Sequence, residues 1–164
     1  MIITGFQLRA AKAALNLKLI QLSSKECIDI SNVTLARLVN TVENYEKLSC
    51  SAVDAEKITN FFKKNKIIFK EDNIIEIDCI TDTKDTKNNI TRFQLVCARA
   101  ALRMNLRVLS KNINIGYRTI GYLENKANNH YISCRNICIK DIISFFNTQY
   151  ITFPSNTSVQ LIKK

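Results

Sequence analysis

The densest chemistry in the chain lies in Ile113–Asn125, INIGYRTIGYLEN, which sets Tyr117, Arg118 and Tyr122 beside two of the only three glycines. An arginine can pair with phosphate or bond bidentately to guanine O6 and N7. A tyrosine offers its hydroxyl to phosphate and its ring face to a sugar or a thymine methyl. Upstream, Arg99, Arg103 and Arg107 recur at intervals of four, where they could hold flanking phosphates irrespective of base sequence. The plainer interpretation of the tyrosine pair is ordinary helix surface or a patch for a protein partner. Each glycine inside a helix costs roughly 0.5–1 kcal/mol relative to Ala, so two of them need a reason.

The charge balance narrows the classes. Residues 1–80 carry 11 basic and 10 acidic side chains, whereas residues 81–164 carry 13 and 4. A basic, folded second half points first to nucleic acid. Six cysteines without a C-x-x-C pair, and a single His130, make neither a zinc site nor a disulfide framework, so no metal or other cofactor is expected. No Gly-rich phosphate loop, H-x-E or H-E-x-x-H occurs, and the neighbouring acids Glu71-Asp72 and Asp82/Asp85 fall in a turn and a linker, so catalysis is not expected. No apolar run approaches the ~18–20 residues that span a bilayer, and the N-terminal stretch lacks the layout of a signal peptide. A cytoplasmic, nucleoid-associated protein without membrane contact is the corresponding expectation.

The chain is written twice. Ile3–Leu15, ITGFQLRAAKAAL, and Ile90–Leu102, ITRFQLVCARAAL, agree at nine of thirteen positions at an offset of 87. Thr34-Leu35-x-x-Leu38 then matches Thr119-Ile120-x-x-Leu123 at 85, and Phe61-Phe62 matches Phe145-Phe146 at 84. Each copy reads as four helices and a small hairpin, with capping boxes at Thr4/Gln7 and Thr91/Gln94. Asn105 can cap a second helix to Asn112, whereas Lys18 at the matching point is a poorer cap. Third helices start near Ser31 and Gly116. Fourth helices run from about Ser51 to Asn65 and from about Cys134 to Asn147, followed by β-branched runs around polar turns. These observations divide the chain into residues 1–78, a polar linker at 79–89, and residues 90–164.

From Phe93 to Asn125 the second copy resembles the Cro/phage-repressor-type (XRE) helix-turn-helix family. The likeness is carried by the first-helix Phe-Gln-Leu…Ala-Arg-Ala, Leu109, and Ile115-x-x-x-Thr119-Ile120-x-x-Leu123-Glu124. Small family members with a trailing hairpin match nearly the whole repeat. The resemblance implies a mainly α fold of two tandem lambda-repressor-like domains, four helices each, with a small C-terminal β-hairpin in each. It implies double-stranded DNA as the partner, with Tyr117, Arg118 and Tyr122 at base-reading positions, Gly121 between them on the DNA face, and Thr119 closing on backbone or phosphate. Gly116 stands where a capping Ser or Thr is usual, Ile120 and Leu123 belong to the core, and Glu124 takes a structural acidic position. In the first copy the outward positions are Asn32, Val33, Ala36 and Arg37, of which Asn32 and Arg37 are the candidates for DNA contact. The Gln that often holds a phosphate at the start of helix two is Leu19 or Leu106 here.

The expected function is sequence-specific transcriptional regulation, most simply repression at an operator. The two unequal copies would form an intramolecular pseudo-dimer or part of a higher assembly, with self-association through the hairpins. The competing expectation is a protein-interaction module in which only the second copy, or neither, binds DNA.

Overall fold

A computed structural model describes residues 3–71, 73–78, 89–132 and 136–162, with the backbone alone for 136–138. Nearly all of the linker, and the expected start of the last helix at Cys134, lie outside the described residues. The first half contains α1 (Gly5–Ala14), α2 (Leu19–Leu22), α3 (Asn32–Asn40), α4 (Ala52–Lys64), β1 (Ile67–Lys70) and β2 (Ile74–Ile77). The second contains α5 (Arg92–Ala101), α6 (Leu106–Ile113), α7 (Tyr117–Glu124), α8 (Asn136–Thr148), β3 (Ile151–Thr152) and β4 (Ser158–Leu161). Helices joined to small antiparallel strands therefore follow the sequence reading at the level of class.

The capping boxes open α1 and α5. Thr4 Oγ1 accepts from the Gln7 amide at 3.4 Å while Gln7 Oε1 accepts from the Thr4 amide at 3.1 Å. Thr91 and Gln94 repeat the exchange at 3.3 and 2.8 Å. Each glutamine does a second job that spacing does not reveal. Gln7 Nε2 donates to the Lys70 and Ile74 carbonyls at 2.7 and 2.8 Å, and Gln94 Nε2 to those of Ser155 and Ser158 at 2.7 and 3.4 Å. Each half thus hooks its hairpin turn to its first helix.

Six of the seven left-handed residues among those described recur in register. Asn16 and Arg103 have φ of 53° and 55°, Asp29 and Asn114 55° and 51°, Lys66 and Tyr150 62° and 60°. A non-glycine residue pays about 1–2 kcal/mol for this conformation, so three matched pairs reflect one common chain path rather than chance. The halves differ mainly at the second helix. Asn105 Oδ1 accepts from the Val108 amide at 2.9 Å and α6 runs eight residues. Lys18 has no acceptor in its side chain, and α2 is a single turn of four residues.

The two hairpins form one sheet rather than two separate units, in the order β1-β2-β4-β3. At the joint Ile75 faces Val159, Ile74 faces Gln160 and Glu76 faces Ser158. Ile75 and Val159 are equivalents at the offset of 84, and the flanking pairs exchange equivalents, which is the pattern of an isologous two-fold contact. The same axis passes between α1 and α5. There the Cys97 thiol donates to the carbonyl of its own equivalent, Ala10, at 3.4 Å, and burial pushes that thiol far up, keeping it neutral. Buried Ala10, Ala11, Ala14, Ala98 and Ala101 let the two helices approach closely, and one apolar cluster runs through both halves. Phe62 packs edge-on to Phe69, and its equivalent Phe146 edge-on to Phe153, with centroids 5.5 and 6.0 Å apart.

Gly5 owes its place to this packing. A Cβ there would lie 2.3 Å from the Glu43 carbonyl oxygen and 2.7 Å from that of Val42, so any side chain must displace backbone. Its equivalent Arg92 is buried and reaches across the axis, donating from Nη1 to the Ala14 carbonyl at 2.6 Å.

Candidate nucleic-acid interface

Asn105 starts α6, and left-handed Asn114 ends it, turning the chain within three residues into α7. Leu109, Ile113, Ile115, Ile120 and Leu123 are buried beneath this pair of helices. That fixes the opposite face by helical periodicity: Tyr117, Arg118, Thr119 and Tyr122 are all exposed, Tyr122 by 63%. The Tyr117 ring lies near two guanidiniums, with Arg107 Cζ 5.6 Å and Arg118 Cζ 6.0 Å from its centroid. Lys126 Nζ donates to the Tyr122 hydroxyl at 2.7 Å and sits 4.0 Å from that ring's centroid. Such cation–π contacts contribute about 0.5–1 kcal/mol each at exposed sites and hold the cations close to the helix. The Thr119 hydroxyl has no bond among the described residues, unlike Thr34, whose Oγ1 lies 2.9 Å from Ser31 Oγ. Between residues 105 and 126 the only acid is Glu124.

Glu124 does not oppose this charge at the surface. Its carboxylate takes both Arg99 Nε at 2.5 Å and Arg99 Nη2 at 2.6 Å, while Arg99 Nη1 donates to the Met104 carbonyl at 2.6 Å. Arg99, expected from its spacing to hold a phosphate, is engaged here as an internal brace between α5 and α7. Arg103 is also redirected. Its left-handed backbone turns the side chain across to the first half, where Nη2 donates to the Val42 carbonyl at 2.8 Å and Nη1 lies 3.7 Å from Glu43. Of the three arginines spaced by four, Arg107 alone stays on the α7 face.

Gly121 also departs from expectation. A Cβ built on it would meet Leu106 Cδ1 at 3.5 Å, so this half-buried residue points its side-chain position toward the start of α6. That distance is ordinary contact, and the equivalent residue is Ala36. Gly121→Ala should therefore raise stability by about 0.5–1 kcal/mol in urea unfolding, without loss of DNA affinity. A binding defect in that variant would return the glycine to the DNA face. Gly116, with φ of −54°, needs no special backbone freedom; it leaves α7 without the side-chain cap that Ser31 gives α3.

No protein-family model, curated protein or solved structure matches this chain.

On the first half the same frame carries different chemistry. Ile20 stands where α6 has Arg107, Asn32 where α7 has Tyr117, Val33 where it has Arg118, and Arg37 where it has Tyr122. Ile20 and Val33 are 70% and 80% exposed, and Arg37 Nη2 donates to the Ser49 carbonyl at 2.9 Å. One face can therefore neutralise phosphates and bond guanine, whereas the other offers an amide, apolar groups and one partly engaged cation.

Sequence reasoning passed over the buried arginines. Arg9 donates to the Val39 and Val42 carbonyls at 3.0 and 2.7 Å and to the Asn44 amide oxygen, tying α1 to the end of α3. Arg92 performs the matching task from a different position, through the Glu124 carbonyl at 2.8 Å and the Asn128 amide oxygen. Burial, helped by nearby Arg103 and opposed by Glu43, pushes Arg9 down to about 10. The available signal was Asn44 and Asn128, equivalents at an offset of 84.

Proposed function

We propose that the chain is a sequence-specific double-stranded DNA-binding regulator of the phage-repressor type, with α6, the Asn114–Gly116 turn and α7 as its main helix-turn-helix. The supporting observation is the α7 face. Arg107, Arg118 and Lys126 cluster around two exposed tyrosines, and the one local carboxylate is turned inward. On this reading the N-terminal half of α7 enters the major groove, Arg118 reads guanine, and the surrounding cations and hydroxyls fix the phosphates. Repression by occupying an operator is the simplest output. The α2–α3 pair is the second, diverged reader on the other side of the pseudo-two-fold axis. A single chain then addresses two half-sites, the arrangement for which simpler relatives use a dimer, with half-site centres ~34–36 Å apart. Asn32 suits adenine, and Val33 a thymine methyl, so the two half-sites differ in composition.

A second reading is favoured by Ile20 and Val33, large apolar groups exposed on the first half. In that reading only α7 meets DNA, and the α2–α3 face docks a protein. Among the described residues no helix is long and apolar enough to cross a membrane.

Titration of binding to mixed genomic DNA against salt tests the DNA claim. Neutralisation of about four phosphates gives a log–log slope of about −3.6, and absence of binding at ~50 mM salt ends the proposal. Footprinting of a selected operator separates the two readings, because a lone α7 protects one half-site only.

A further inference from the structure

On both flanks of the pseudo-two-fold axis a cleft opens between the halves, in lobes of about 350 and 250 Å³. Lys12, Ala13 and Ala100 line both lobes. Five cationic side chains, Arg9, Lys12, Arg92, Arg99 and Arg103, border this space against the single carboxylate of Glu124. Four of the five are spoken for. Arg99 pairs with Glu124, and Arg9, Arg92 and Arg103 bond main-chain carbonyls.

Lys12 is the exception. It is half-buried, yet its ammonium makes no hydrogen bond or ion pair among the described residues. The repeat explains how this arises. Lys12 is the equivalent of Arg99, but the position equivalent to Glu124 is Val39. The second half thus supplies its cation with an acid, and the first half does not. Burial pushes Lys12 down from its ordinary range, a desolvation cost that no partner among the described residues offsets. The amides of Asn16, Asn40 and Asn125 also border the lobes and could donate to an oxyanion's remaining lone pairs.

We propose that this inter-repeat cleft is an oxyanion site for a phosphate group, with Lys12 as its principal ligand. The site does not depend on the α7 face reading DNA. It joins Lys12 and Asn16 of the first half to Asn125, just beyond α7, so an occupant bridges the halves and biases the separation of α3 and α7. The phosphate comes either from the DNA backbone between two half-sites or from a free phosphorylated small molecule. The larger lobe lies at the small end of the ~300–1,000 Å³ range of such ligand sites.

Inorganic phosphate, titrated into the full chain at constant ionic strength, is the probe, read by calorimetry and thermal unfolding. Wild type and Lys12→Arg should show saturable binding with a rise in melting temperature. Lys12→Met should bind at least tenfold more weakly, and Lys25→Met, an exposed control, should match wild type. Titrations without saturation, or with Lys12→Met unchanged, overturn the site. Given phosphate binding, random-sequence duplex DNA identifies the source. Displacement of phosphate, with a salt slope about 0.9 shallower in Lys12→Met, assigns the site to the DNA backbone. Simultaneous binding of phosphate and DNA assigns it to a free ligand. A phosphate-binding chain that never binds DNA keeps this site while removing the DNA function.

Discussion

Arg118→Glu should lower the affinity for a selected operator at least 100-fold while leaving the fold as stable as before or slightly more so. Arg118 is exposed in the first turn of α7, where no acid competes for it. Losing one bidentate base contact costs about 1–3 kcal/mol, and a carboxylate placed against phosphates adds repulsion to that loss. Stability moves the other way, because an acid in the first turn of a helix is favourable by about 0.3–1 kcal/mol. The opposite signs separate a lost contact from a damaged protein. Val33→Glu is the matched control, at the equivalent position of α3, where an apolar side chain and not a cation is replaced. It should cost clearly less. Fluorescence anisotropy with the operator, alongside thermal unfolding, reads both quantities. Equal losses from the two variants would mean that the halves contribute symmetrically and that the asymmetry of their faces has no bearing on binding.

That asymmetry was legible in the sequence, since it needs only the repeat offsets and the residue types at matched positions. The capping boxes, the four helices in each copy and the weak cap at Lys18 were legible for the same reason: they are local, and local chemistry decides them. What was not legible depends on where chain segments meet. Three arginines spaced by four look alike on a helical net, but α5 ends at Ala101 and Arg103 is left-handed, so the three diverge. Arg99 turns inward because Glu124, 25 residues on, lies within reach. The approach of Leu106 to Gly121 joins two helices, and helical periodicity within α7 alone does not show it. For Lys12 the repeat shows only that its counterpart Arg99 has an acid partner at Glu124 where the first half has Val39; that the fold half-buries it takes the structure to show.

The joining of the halves carries a mechanistic consequence. A dimer of separate chains keeps its two reading heads identical, because one gene copy encodes both. Here the isologous contacts at Ile75/Val159 and Ala10/Cys97 join the halves, while the exposed faces of α3 and α7 carry different residues. The faces have diverged further than the frame: three pairs of left-handed residues and both capping boxes persist, although the second helix differs in length. On the proposed DNA-binding reading, a shared frame with unequal faces would suit an asymmetric operator.

Glu124→Ala tests whether that frame is braced as described, with an expected loss of about 3 kcal/mol in urea unfolding. The Arg99 and Glu124 side chains are only 18% and 12% exposed, so both partners are largely shielded from solvent although they border the inter-repeat cleft. Removing one partner leaves a largely buried guanidinium whose remaining bond is to the Met104 carbonyl, and such orphaned charges cost about 3–5 kcal/mol when fully buried. The residual exposure places the expectation at the lower end of that range. Glu124→Gln keeps an acceptor and should lose less. Arg99→Met added to Glu124→Ala should recover much of the loss, because an apolar pair leaves no uncompensated charge. Non-specific DNA affinity should not fall in Glu124→Ala, since the variant is more positive by one charge. A loss below about 1 kcal/mol, or no recovery in the double variant, would reduce the brace to a screened surface pair. Arg99 would then be free to hold a phosphate, as its spacing first indicated.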